Sequence, residues 1–353
     1  MATPPRSLHI LAWTTLLCAL PLISIGGLVT STGAGMAVPD WPNSFGYNMF
    51  ALPWGQWLGE GSFESGVFQE HTHRLLGTVV GFAAIILCGL AWWRGTRTLA
   101  VLSTVMLVTI VVQGLMGGFR VTENSTLLSF IHGVFGQIVF ALTAVMVVMT
   151  GRWWANARQR RGGTWLIRLG TAGVALVVLQ LLLGAAMRHD TDRNYVTGAG
   201  AGLAIPDWPL HYGEVLPPLD EAAIAAVNVE RAEMNLPPTN AKHVGIHFAH
   251  RIGAYVTAGV LIAFAVIAFR HGHKIGVIVG ILVIAQVTLG ILTVLYRKPA
   301  DIATTHQAIG ALLLATTVVA ALRMWRVYAQ EPSHAAAPAA DPHPTPTSAP
   351  ALP

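Results

Sequence analysis

"FQEHTHRLLG", residues 68–77, opens a long apolar run, and within it stand Glu70, His71, His73 and Arg74. Hydrocarbon penalises all four side chains, so ionisable groups at membrane depth are rare and point to function. A near-copy, "GIHFAHRIGA", occupies 245–254 and sets His247, His250 and Arg251 in the same pattern. These two stretches decide the fold together. They lie on apolar segments of spanning length, in a chain that repeats itself.

The composition agrees. Hydrophobic residues make up 54% of the chain and charged residues 10%, against roughly 25% charged in a soluble domain, and the mean hydropathy is +0.58. This is the make-up of an all-α integral membrane protein. The excess of 21 Lys and Arg over 16 Asp and Glu sits in short loops, which is a topology signal rather than a nucleic-acid surface. Cys18 and Cys88 both lie within apolar runs, so the loops offer no disulfide.

A spanning helix needs about 20 mostly apolar residues. Such runs lie near 8–29, 70–93, 99–118, 127–149, 166–187, 245–268, 275–296 and 303–325. The first follows Arg6 as a secretory leader would, but it continues into "GGLVTSTGAG" without a small-residue cleavage site and reads as a helix. Arg94, Arg97, Arg152, Arg158, Arg160, Arg161, Arg270, Lys274, Arg323 and Arg326 fall on the side of Arg6, while Arg120, Arg297 and Lys298 fall on the other. Both termini are therefore expected to be cytoplasmic. The long connections near 30–69 and 188–244 lie outside, the second with a short amphipathic helix in "DEAAIAAVNVERAEMNLPP". The Ala- and Pro-rich segment 327–353 reads as a disordered cytoplasmic tail.

The repeat extends beyond the opening stretch. "GMAVPDWP" at 35–42 returns as "GLAIPDWP" at 202–209, "QGLMGG" at 113–118 is echoed by "QVTLGI" at 286–291, and His132 matches His306. An even number of spans per copy gives both copies the same orientation. The expected architecture is therefore eight transmembrane helices as two parallel four-helix-bundle repeats, 1–150 and 151–326.

His73, His132, His250 and His306 each stand near the outer start of an even-numbered span, two per repeat. Two neutral imidazoles facing each other across a bundle are what a bis-histidine haem iron requires. Arg74 and Arg251 each follow a candidate ligand and suit the haem propionates. Gly77, Gly133, Gly253 and Gly310 follow within a turn and leave space for a flat macrocycle, although glycine is also ordinary in membrane helix packing. Copper or zinc can use four histidines, but pairing by repeat, with no thiolate or carboxylate nearby in the second half, favours haem. His71 points to the other side of its helix and reads as interfacial. His9, His271, His273, His334 and His343 read as solvated or snorkelling.

The halves differ at one informative place. Glu70 shares a helix face with His73, and its counterpart is His247. A carboxylate beside one haem only suits a reacting centre that needs a base, a proton relay or a charge stabiliser. The blander role is to orient Arg74.

These residues give the chain a family resemblance. Over 8–325 it resembles the haem A synthases of aerobic bacteria and mitochondria, through the "TGAG" and "PDWP" elements after the first span, Glu70 with His73–Arg74, His250–Arg251, and the single histidines 132 and 306. The resemblance implies an enzyme of the bacterial cytoplasmic membrane that oxidises the C8 methyl of haem O to a formyl group, making haem A for terminal oxidases. It implies a resident haem b at His250 and His306 as cofactor, the substrate haem at His73 and His132, and a catalytic Glu70. It further implies a haem O synthase and an electron-transfer protein as partners. Many bacterial members carry loop cysteines beside PDWP; here Val38 and Ile205 precede the two motifs, so no thiol step operates there.

Two other readings compete. A di-haem cytochrome passing electrons between quinone and an outer acceptor would need all four histidines but not Glu70. A transporter or haem chaperone would need ionisable residues at mid-membrane, which the spans lack.

Overall fold

The computed structural model describes residues 4–58, 65–189 and 200–329. The segment 330–353, most of the expected tail, lies outside the described residues. Eight helices among them are long and apolar enough to cross a membrane: α1 (Arg6–Ser31), α2 (Gly66–Arg94), α3 (Arg97–Thr122), α4 (Thr126–Thr150), α5 (Thr164–His189), α6 (Ala241–Arg270), α7 (Ile275–Leu295) and α8 (Ala300–Tyr328).

Most are a turn longer than their apolar runs, because hydropathy does not register a polar first turn that the backbone supports. The side chains of Thr96, Ser125 and Asn240 accept the N–H of Leu99, Leu128 and His243 and so cap α3, α4 and α6. The expected surface helix is also present, at Glu221–Glu233, capped by Asp220.

The packing closes into two rings. α1 packs on α2, α2 on α3, α3 on α4 and α4 back on α1; α5, α6, α7 and α8 close in the same way. The rings meet where α8 lies against α4 and α1. One apolar core spans that seam, joining Phe140 and Ala144 of α4 to Phe264, Ala311 and Leu314. A second lies within the first ring, around Leu8, Leu87, Met106 and Met146. The periphery is apolar too, with Phe82 at 60% exposure and Ile281 at 61%. A water-facing surface of that kind is unfavourable, whereas lipid accepts it.

At one end of the rings the two PDWP loops fold alike. Both contain a cis X-Pro bond, Trp41–Pro42 and Trp208–Pro209. Asp40 accepts the N–H of Phe45 and Gly46, and Asp207 those of Tyr212 and Gly213. Phe45 and Tyr212 both adopt positive φ, 53° and 58°, a costly conformation for an aromatic residue that these aspartate bonds hold in place.

Candidate functional site

The four candidate histidines all occur at the PDWP end, on α2, α4, α6 and α8, and each ring rests on a glycine of the preceding helix. A Cβ at Gly26 would come within 2.8 Å of His73 Cε1, and one at Gly117 within 2.8 Å of His132 Cε1. The matching approaches are 3.4 Å for Gly184 and His250 and 3.1 Å for Gly290 and His306. The glycines that seat the imidazole rings therefore lie on the odd-numbered helices. Gly77, Gly133, Gly253 and Gly310 instead meet Leu22, His189, Gln180 and Gln286.

In the first ring, His73 and His132 face each other with centroids 6.4 Å apart and planes at 79°. His73 Nδ1 bonds the Leu22 carbonyl at 3.0 Å, and His132 Nδ1 bonds that of Gln113 at 3.2 Å. A carbonyl acceptor places the proton on Nδ1 and leaves the Nε2 lone pair for a metal, the usual outer arrangement of histidine ligands. A nitrogen–metal bond is about 2 Å, so two such bonds plus the ring radii suit the observed spacing. Among the described residues no group of three or more His, Cys, Asp or Glu side chains could hold a metal ion. A pair of protein ligands fits a haem, whose porphyrin supplies the other donors.

In the second ring, His250 and His306 are electrostatic neighbours. Nδ1 of both, both amide atoms of Gln180 and Oε1 of Gln286 are buried without a hydrogen-bond partner. Buried polar groups are normally paired, and a concentration of unpaired ring and amide atoms fits a site for a polar-centred ligand. The donor set again suits haem.

Beside each pair, one helix residue and one arginine grip a PDWP loop. Glu70 is 2% exposed; one carboxylate oxygen accepts the Val38 N–H at 2.9 Å and the other pairs with Arg74 at 2.7 Å. Both terminal nitrogens of Arg74 also donate to loop carbonyls, of Val38, Asp40 and Asn43. In the copy, His247 Nδ1 accepts the Ile205 N–H at 3.2 Å, Arg251 Nε lies 3.3 Å from His247 Nε2, and Arg251 donates to the carbonyls of Ile205, Asp207 and Leu210. The two arginines expected at the propionates thus spend their terminal nitrogens on loop backbone. Asp40, in the first loop, titrates below its ordinary value. Burial works against this, but the Gly46 and Phe45 N–H groups and then Arg74 outweigh it.

His71 departs from the sequence expectation. Rather than lying at an interface, it is 1% exposed, with Nδ1 3.2 Å from Ser44 Oγ and its ring edge-on to Trp57. The indole N–H of Trp57 in turn donates to Thr72, so the PDWP loop and the short helix Trp54–Leu58 enclose this side of α2. His9 bonds Thr150, and His273 bonds Tyr328 at 2.7 Å; burial lowers the pKa of His273. His334 and His343 lie outside the described residues.

Sequence reasoning passed over Arg120, Arg188 and His189. Arg120 served only as a topology marker, and Arg188 and His189 fell at the edge of a long loop. All three lie in the last turn of a spanning helix. That position was the available signal, because a cation at a span end reads equally well as a snorkelling anchor.

A family model, COX15-CtaA, described as cytochrome oxidase assembly protein, matches residues 9–318. The chain belongs to the COX15-CtaA family. The match runs from the first turn of α1 to the middle of α8 and so takes in all four histidines and both PDWP loops. Relatives in this family carry the name haem A synthase. One from Methylobacterium radiotolerans is 27% identical, over 89% of this chain and 89% of its own. One from Sphingopyxis alaskensis is 27% identical, over 92% and 94%, and one from Ruegeria pomeroyi 28%, over 86% and 86%. Family membership and eight apolar helices make this a multi-pass bacterial membrane protein.

Proposed function

We propose that the protein is a haem A synthase, oxidising the C8 methyl of haem O to a formyl group. The carrying observation is the His73–His132 pair, 6.4 Å apart with both Nδ1 atoms committed to carbonyls, in a chain whose relatives bear that name. We read the two rings as parallel repeats: 1–150 takes the substrate haem between His73 and His132, and 151–326 holds a resident haem b between His250 and His306. Held there by His250 and His306, haem b would carry electrons between the substrate half and the electron-transfer partner.

The protein's own groups give this chemistry its place. His73 and His132 hold the substrate, and Gly26 and Gly117 let their rings seat against the neighbouring helices. Glu70 is the catalytic carboxylate, and Arg74 and the Val38 N–H hold its two oxygens in place. The PDWP end faces outwards with both termini cytoplasmic, as the distribution of Arg and Lys favours. A haem O synthase that delivers the substrate and an electron-transfer protein complete the system.

One observation favours a di-haem electron carrier instead. Glu70 and His247 make the same loop contact, so the asymmetry could be structural alone. Co-expression with a haem O synthase, followed by analysis of extracted haems, decides between them. The synthase yields haem A or its alcohol precursor, and Glu70→Ala accumulates haem O. If the unmodified protein gives only haem b and haem O, the synthase reading fails.

A further inference from the structure

At the PDWP end, cations gather in the seam between the rings. Arg188, near the end of α5, donates to Gln307 Oε1 on α8, to the Gly27 carbonyl at 2.6 Å and to Ser31 Oγ at 2.8 Å on α1. Arg120, near the end of α3, donates to the Gly35 carbonyl at 2.9 Å. His189 Nε2 lies 3.6 Å from where a Cβ on Gly133 would be, one residue beyond His132. Its electrostatic neighbours are Arg188, Arg120 and Lys298. Burial, and after it the charge of Arg188, lowers the pKa of Lys298 in the α7–α8 connection.

These groups adjoin one histidine pair. Arg120 is an electrostatic neighbour of both His73 and His132, and His189 of His132. Gly27, which Arg188 grips, follows the Gly26 on which the His73 ring rests.

The acceptors of Arg120 and Arg188 are all neutral: carbonyls, one hydroxyl and one amide. Glu70 is within electrostatic reach of Arg120, but the one ion pair among the described residues joins it to Arg74. A guanidinium withdrawn from water is costly until an anion complements it. Each has five N–H donors, and most of those on Arg120 remain available.

We propose that Arg120, Arg188 and His189 form a carboxylate-binding site that receives the propionates of the haem held by His73 and His132. The site replaces Arg74, whose charge the Glu70 carboxylate already neutralises, as the partner of the anionic edge. This rests on reading the His73–His132 pair as a haem site. It also explains why cations contributed by both rings converge on the pair in the first.

The test uses the full chain, purified in detergent with its second-half haem bound. Ferric protoporphyrin IX haem or its dimethyl ester is added, and binding is followed by the Soret band. Charge-assisted bonds to a carboxylate lead us to expect the diacid to bind about tenfold or more tightly than the diester. Arg120→Gln, Arg188→Gln and His189→Ala should each weaken the diacid and leave the diester unchanged, while Arg188→Lys keeps part of the preference. Equal binding of diacid and diester by the unmodified protein overturns the proposal without any variant. So does a preference that survives all three substitutions, since the anion then sits elsewhere. His132→Ala tests the underlying reading separately. If it alters the binding of neither form, the haem assignment of the pair fails instead.

Discussion

Glu70 and His247 hold equivalent backbone atoms: a carboxylate oxygen accepts the Val38 N–H at 2.9 Å, and an imidazole nitrogen accepts the Ile205 N–H at 3.2 Å. Each also lies against the arginine four residues on, Arg74 or Arg251. An acceptor at this position is thus a structural need of both loops, and only the first meets it with a negative charge. Glu70→His should therefore fold and retain both haems while losing conversion of haem O by about 100-fold or more, the lower range for removal of a general base. Extracted haems and the ligation spectrum, measured on the same preparation, check this. A variant that still makes haem A would show the charge to be unnecessary.

The ring seats make a second expectation. A Cβ at Gly26 or Gly117 would lie 2.8 Å from a histidine ring carbon, closer than packed atoms tolerate. Gly26→Val and Gly117→Val should displace His73 or His132 and cost about 1–3 kcal/mol as overpacking. The low-spin signal of added haem in the first half should fall, while the second-half haem remains. Absorption and electron paramagnetic resonance spectra separate the two.

Arg231 concerns stability alone. It is 2% exposed and binds the carbonyls of Leu203, Ala204 and Pro237 together with the Tyr212 hydroxyl, fastening the surface helix Glu221–Glu233 to the second loop. Arg231→Ala leaves buried acceptors unpaired, so a loss of about 3 kcal/mol is expected. Thermal unfolding in detergent should show a lower midpoint with haem A formation preserved below it.

The first PDWP loop should loosen in acid. Asp40 holds the Phe45 and Gly46 N–H groups as a carboxylate, and its folded pKa lies below the ordinary 3.8. A depressed pKa means a contribution present above the ordinary value and lost as pH falls through the folded one. Protease cleavage at 41–50 should therefore rise only as pH drops below about 3.8, and Asp40→Asn should remove that dependence. Cleavage that is the same at every pH would contradict it.

Much of this protein was legible in the chain itself. Eight spans, the doubled PDWP and H-R motifs and the histidines 73, 132, 250 and 306 could all be read locally. The energetics of a bilayer act on each segment separately: apolar length makes a span, and an ionisable residue within it is conspicuous. The exchange of Glu70 for His247 was visible for the same reason, by comparing one repeat with the other.

Which groups meet was decided by the tertiary structure. Nothing near Gly26 in the chain indicates that it seats the His73 ring, and nothing near Arg188 that its guanidinium reaches Gly27, 161 residues away. Arg74 beside His73 looked like a propionate partner until the loop folded onto it, and His71 looked interfacial until Ser44 and Trp57 enclosed it. Hydropathy fixes how deep a residue lies along a helix axis. The direction of a side chain around that axis follows from which helices pack together, and that depends on small residues and loop contacts far apart in the chain.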